Sequence, residues 1–220
     1  VTQTTARQAM LAAAEQIIAE RGMPALTLKD VQIAANQSNK SAATYHFGSR
    51  EGLIEALVEV RMTPVDTRRR ELLDEIERRG EPPTVRGAVE ALVRPLAAET
   101  LGRPGSRYAR FLVQGLFDPA LADMIRKHLK AESYRHVHRL LVDLCPAPGH
   151  IAEWRADNIV MLGITSLAAR EGTARTAADT AAIVADLVDT CVAMIEAPTS
   201  VPPGSASDPT ECTETRGVSL

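Results

Sequence analysis

The chain has 220 residues, enough for one good-sized domain or a small one joined to a larger one. Only 3% are aromatic although 45% are hydrophobic, so the apolar content is mostly Ala, Leu, Val and Ile, which suits helix packing better than a β-sandwich. Three scattered cysteines (Cys145, Cys191, Cys212) argue against a disulfide scaffold, the apolar run Ile159–Ala169 is too short for a bilayer, and the net charge of −3 excludes nothing about partners until its distribution is known. Arg7 and Gln8 interrupt the start where a secretory segment would be apolar. The expectation is a reduced, cytoplasmic, all-α protein without a membrane segment.

A first helix is predicted from about Thr5 to Arg21, with Met10, Ala13, Ala14 and Ile17 on one stripe. Gly22 ends it and Pro24 prevents resumption. Thr27 caps a second helix over roughly 28–35, with Asp30 in its first turn. Asn36 is suited to a positive φ in the turn that follows. A short third helix covers about Lys40 to Phe47, capped by Ser38 or Asn39. Gly48-Ser49 then leads to a fourth helix over 50–62 with Leu53, Ile54, Leu57 and Val58 inward.

Two short helices joined by a turn of about four residues, with small Ala residues where they approach, describe a helix-turn-helix; three short helices of an ordinary all-α core is the plainer alternative. The segment Ser38–Arg50 holds Lys40, His46 and Arg50 and no acid, whereas Asp30, Glu51, Glu55 and Glu59 flank it. A small basic face on an acidic remainder suits an anionic partner.

Beyond residue 60 the helices lengthen. Pro64 is read as a first helical position ahead of a helix over 65–79, with a break at Gly80-Glu-Pro-Pro83. Helices follow over about 84–101, 107–117, 119–144, 151–169 and 177–195, and the Pro/Ser/Thr/Gly-rich stretch 198–220 reads as a disordered tail.

The run Tyr45-His46-Phe47-Gly48-Ser49-Arg50-Glu51-Gly52-Leu53 resembles the signature of tetracycline-repressor-like (TetR-type) transcriptional regulators, in which Tyr-His-Phe closes the recognition helix. Ala25-Leu-Thr27-Leu-Lys-Asp-Val31 and the Arg21-Gly22 pair are similar to the same family, while Ala35-Asn36-Gln37 departs from its usual Ala-Gly-Val turn. The resemblance covers about residues 5–60. It implies a helix-turn-helix domain over 1–50, the fourth helix 50–62 as connector, and a helical ligand-binding and dimerisation domain over 63–197. It also implies a homodimeric repressor, not an enzyme, released from a pseudo-palindromic DNA operator by a small molecule. The alternative is a dimeric helical binding or scaffold protein with a degenerate helix-turn-helix.

Under this reading Asn39, Lys40, Ser41 and Thr44 reach bases or phosphates, and Thr27, Tyr45, His46 and Arg50 contact phosphates, since hydroxyls, imidazole and guanidinium all suit anionic oxygens. Tyr45 fits equally a core ring with an exposed hydroxyl. The effector is expected among Phe111, Gln114, Phe117, Met124, His128, Tyr134 and Met161. The dimer surface is expected at Trp154, Leu162, Val184, Leu187, Val188, Cys191 and Ile195, unless that wide stripe packs wholly inside the monomer. His136 and His138 point apart on a helix and make a poor metal pair, so no metal or cofactor is expected.

Overall fold

The computed structural model describes residues 2–39, 41–118 and 132–200, with side chains from Ala6 onward except those of Leu116 and Phe117. Helices are α1 (Thr2–Arg21), α2 (Leu28–Ala34), α3 (Ala42–Phe47), α4 (Arg50–Arg79), α5 (Val85–Thr100), α6 (Tyr108–Phe117), α7 (Glu132–Leu144), α8 (Gly149–Arg170) and α9 (Ala177–Glu196), with a 3-10 turn at Met23–Ala25; the described residues contain no strand. No helix among them is long and apolar enough to cross a membrane.

Two apolar clusters organise these helices. The first joins α1, α2, α3 and the start of α4, burying Met10, Ile18, Val31, Phe47, Leu53 and Leu57. It also takes Tyr108, Phe111 and Leu112 from α6 and Ile164 from α8, so the second half of the chain packs directly into the first. The second cluster is built from α5, α7, α8 and α9 with Leu73 of α4.

The expected helix boundary near Pro64 does not exist: α4 runs unbroken for 30 residues, about 45 Å at roughly 1.5 Å per residue. An interior proline costs roughly 3 kcal/mol, because it removes one N–H and crowds the carbonyl four residues back. Opposing that cost, Leu57, Val58, Arg61, Met62, Val65, Arg69 and Leu73 bury one face on both sides of Pro64. The Thr63 hydroxyl donates to the Glu59 carbonyl at 2.7 Å within the same turn. The predicted division after residue 62 therefore falls inside a helix.

The stripe on α9 also requires correction. Val184, Leu187, Val188, Cys191 and Ile195 are each at most 8% exposed within a single chain, packed against α5 and α8. A free partner face cannot be made of them. The cause is α5, whose Val85, Ala88, Val89 and Leu92 supply a complementary apolar ridge that the local pattern of α9 does not reveal. Arg155 then fixes the end of α9 by donating to the carbonyls of Ile195 (3.0 Å) and Pro198 (3.2 Å). Leu162 is half-buried against the same core. Trp154, 57% exposed, and Met161, 45% exposed, remain on the outer face of α8.

Candidate nucleic-acid interface

The turn between α2 and α3 is held by its own amides. Thr27 caps α2: its Oγ1 accepts the Asp30 N–H at 3.1 Å and donates to Asp30 Oδ2 at 2.5 Å. At the far end Asn36 adopts φ 52°, the positive value expected of it. Gln32 Nε2 donates to the Asn39 carbonyl (3.2 Å), and Gln37 Nε2 to that of Ala35 (2.8 Å). Asn39 Oδ1 accepts the Ser41 N–H at 3.0 Å. Asn39 thus organises the approach to α3, which starts at Ala42 rather than Lys40 and has Ser41 as its N-cap. Lys40 lies outside the described residues.

α3 is two-faced. Ala42, Ala43 and Phe47 are buried, and their small volume at the first two positions lets α3 lie close to its neighbours. Ser41 and Thr44 are exposed, His46 is half-buried, and Tyr45 is 74% exposed. The Tyr45 ring is therefore outside the core, standing edge-on to His46 with centroids 5.2 Å apart. A short helix with a hydroxyl-rich outer face has the width and donors to enter a major groove.

Arg50, expected at a phosphate, also has partners within the chain. Its Nε donates to the Leu26 carbonyl at 3.0 Å and its Nη2 to that of Met23 at 2.6 Å. The guanidinium is a clamp between the start of α4 and the 3-10 turn before α2, while its Nη1 lies 3.8 Å from Glu51 Oε1. A charged, phenol-flanked motif reads as a phosphate contact in sequence; only the return of the chain brings two carbonyls under it. Sequence reading also missed Arg7, half-buried with its guanidinium 5.6 Å from the Phe47 ring, and exposed Lys29 in the first turn of α2. Lys29 stands in the first turn of α2 beside its Thr27 cap, and Arg7 in the second turn of α1.

Behind the reading helices lies a buried polar joint that no local pattern announced. Arg61 of α4, 3% exposed, lies 3.2 Å from Glu15 of α1 and 3.6 Å from Glu99 of α5. Its Nη2 donates to the Glu99 carbonyl (2.7 Å) and to Ser106 Oγ (2.6 Å). Glu15 accepts the Arg107 N–H at 2.6 Å. Burial raises the Glu15 pKa above its ordinary value, with Arg61 opposing. Glu171, 1% exposed just after α8, accepts Ser106 Oγ (2.9 Å) and the N–H groups of Ala109 and Arg110 (both 3.0 Å). It thereby caps the N-terminus of α6 from a distant point in the chain, where the helix dipole favours a carboxylate. In front of the joint an open cleft of about 840 Å³ has Gln8, Ala12, Asn36, Val60, Arg103 and Gly105 in its walls.

Of the expected effector residues, the described ones lie in different places. Phe111 is fully buried in the first core, stacked on Tyr108 with centroids 5.4 Å apart. Gln114 faces Gly22 behind the reading helices, and Met161 is on the outer face of α8. Tyr134 lines a cavity with Glu132, Arg135, His138, Arg139 and Asp157. Met124, His128 and the side chain of Phe117 lie outside the described residues. His136 and His138 diverge, toward Glu77 (4.0 Å) and Asp157 (3.2 Å) respectively. Among the described residues no three His, Cys, Asp or Glu side chains converge as a metal site.

A capped short helix, a self-satisfied turn and a second short helix with an exposed polar face, set on an all-α body, define a helix-turn-helix protein. Residues 10–57, from within α1 to the start of α4, match the family model described as "Bacterial regulatory proteins, tetR family". That match, to a family of DNA-binding transcriptional regulators, covers the helix-turn-helix and the start of α4. The fold extends the likeness over the remaining helices. A transcriptional regulator from Rhodococcus sp. Rha1 superposes with a TM-score of 0.55 at 19% identity, covering 86% of this chain and 95% of that one. NalD of Pseudomonas aeruginosa, the secondary repressor of the MexAB-OprM multidrug efflux pump, gives 0.55 at 15% identity over 90% of this chain and 98% of its own. PfmR from Thermus thermophilus, a TetR family regulator, gives 0.55 at 15% identity over 86% and 99%. No curated protein matches by sequence.

Proposed function

We infer that the chain is a cytoplasmic homodimeric repressor that places one α3 per subunit in successive major grooves of a pseudo-palindromic operator and is released by a small molecule. The observation that carries this reading is the outward face of α3: Ser41, Thr44 and Tyr45 exposed, with Ala42, Ala43 and Phe47 locking the opposite face to the core. Ser41 and Thr44, with Lys40, meet base edges or phosphates. Thr27, Asn39, Tyr45 and His46 meet phosphates, joined by Arg7 and Lys29. Arg50 acts indirectly by fixing the angle between α2 and α4. Repression finds support in the likeness to a named repressor, and effector control in the all-α body behind the reading head.

The dimer contact falls on the outer face of α8, where Trp154 and Met161 leave apolar area uncovered. The first functional unit ends near residue 50 and the second begins near 63, with α4 as a rigid bar between them. Selection of bound fragments from random duplex DNA tests the whole reading. A palindromic consensus with half-sites about 34–36 Å apart is the expected result. Binding should weaken as salt rises, by about 0.9 log unit per log unit of salt for each phosphate neutralised. Absence of any enriched sequence, with Tyr45→Ala and Thr44→Ala behaving as the parent on DNA, refutes the reading.

A further inference from the structure

One buried polar residue of α2 holds both limbs of the turn that leads to α3. Gln32 is 8% exposed. Its main-chain carbonyl accepts the Gln37 N–H at 2.9 Å, and its Nε2 donates to the Asn39 carbonyl at 3.2 Å. The same Asn39 carbonyl accepts the Ala42 N–H at 3.1 Å, and Asn39 Oδ1 accepts the Ser41 N–H at 3.0 Å. A continuous chain of hydrogen bonds therefore runs from the Gln32 amide into the first turn of α3.

α3 needs such a fixture. It has six residues, and helices shorter than about 12–15 residues are marginal in water by themselves, so its placement is imposed by its surroundings. At the far end Phe47 is buried in the core and Gly48, at φ 70°, turns the chain toward α4. At the near end Ala42 and Ala43 are buried, and contact between methyl groups is non-directional: it keeps α3 close without fixing its rotation or slide. The Gln32 amide brings a directional contact to that end. Filling space there requires no amide, whose burial is unfavourable unless it is hydrogen-bonded.

We propose that Gln32 is a positioning residue for sequence-selective DNA recognition: through the Asn39 carbonyl its amide sets where α3 begins, and so how Ser41 and Thr44 meet base edges. The proposal rests on the reading of α3 as the helix that enters the major groove, and adds a residue that acts on selectivity from behind it. Its effect is pre-organisation. Without the tie the first turn of α3 takes several placements. The loss then falls on base contacts, which need one register, rather than on phosphate contacts, which carry no sequence information. The fold survives the change, because Asn39 is exposed and water replaces the amide at its carbonyl.

The test uses the full chain with two substitutions: Gln32→Met keeps the length and loses the donor, and Gln32→Asn keeps the amide but is one methylene short. The probes are the consensus duplex recovered by selection with the parent and a scrambled duplex of the same length and composition. Both variants should bind the consensus about 5–50-fold more weakly, the range of a base mismatch. Their affinity for the scrambled duplex should stay within about twofold of the parent, with the same salt slope, because the phosphate count is unchanged. Tm should stay within about 4 °C of the parent. Amide exchange on the DNA-free protein should be faster at Ser41 and Ala42, by about threefold or more, and unchanged at Gln37, which is bonded to the Gln32 main chain. Three results overturn the proposal: a parent-like ratio of consensus to scrambled affinity in Gln32→Met, unchanged exchange at Ser41 and Ala42, or equal losses on both duplexes with Tm lowered by more than about 10 °C, the mark of a merely structural side chain. Selection that recovers no consensus with the parent sinks the regulator reading, whereas a parent and variants that discriminate equally sink this inference alone.

Discussion

Replacing Arg50 with alanine distinguishes a clamp from a phosphate contact. In the folded chain Arg50 donates to two carbonyls, Leu26 at 3.0 Å and Met23 at 2.6 Å, and its side chain is 36% exposed. A hydrogen bond from a charged donor contributes roughly 1.5–3 kcal/mol when well buried. With a third of the side chain in water and both carbonyls able to rehydrate, the pair together is worth about 2 kcal/mol. For a chain of this size that lowers Tm by about 4–8 °C. Arg50→Lys should lose most of the same stability despite keeping its charge, because one ammonium cannot reproduce the two directed N–H groups of the fork. Urea denaturation measures the stability. Operator titrations at several salt concentrations measure the phosphate count. The clamp predicts weaker binding from a misplaced α2, with an unchanged salt slope. An unaltered unfolding midpoint, together with a salt slope shallower by about 0.9, would refute it and restore the phosphate role.

Three further outcomes follow from the packing. Glu171→Ala leaves the N–H groups of Ala109 and Arg110 without their acceptor and Ser106 Oγ with only the Glu99 carbonyl at 3.3 Å, so chemical denaturation should show a loss of about 2–4 kcal/mol, and a loss below about 1 kcal/mol contradicts the trans cap. Val188→Asp should unfold the subunit rather than part a dimer, since Val188 is 1% exposed, whereas Met161→Asp should preserve folding and lower the sedimenting mass; the reverse pattern returns the interface to α9. Glu15, whose pKa is raised by burial, holds its proton to higher pH when folded than unfolded, so its contribution falls as pH rises from about 4.5 through the folded value. Glu15→Gln should flatten that decline, and an identical stability profile in the variant removes Glu15 as its source.

The sequence by itself determined the helical class, nearly every helix end and the helix-turn-helix. These depend on interactions within a few residues: the Thr27 cap, the positive φ at Asn36, and apolar side chains at three- and four-residue steps. Thr44 and Ser41 were legible as outward residues for the same reason, because Ala42, Ala43 and Phe47 mark the inner face. Tertiary structure decided whatever depends on what lies opposite. Pro64 reads as a helix start, yet burial of Val65, Arg69 and Leu73 beyond it outweighs one lost hydrogen bond. An apolar stripe on α9 carries no mark of whether α5 or another subunit covers it. Arg50, Glu171 and Arg61 look alike as charged residues, and only the folded chain gives them carbonyls 24 residues away, a helix N-terminus 62 residues away and a serine 45 residues away. Hydrophobic periodicity fixes which face of a helix is inward, whereas the partner of a charge is set by the path of the whole chain.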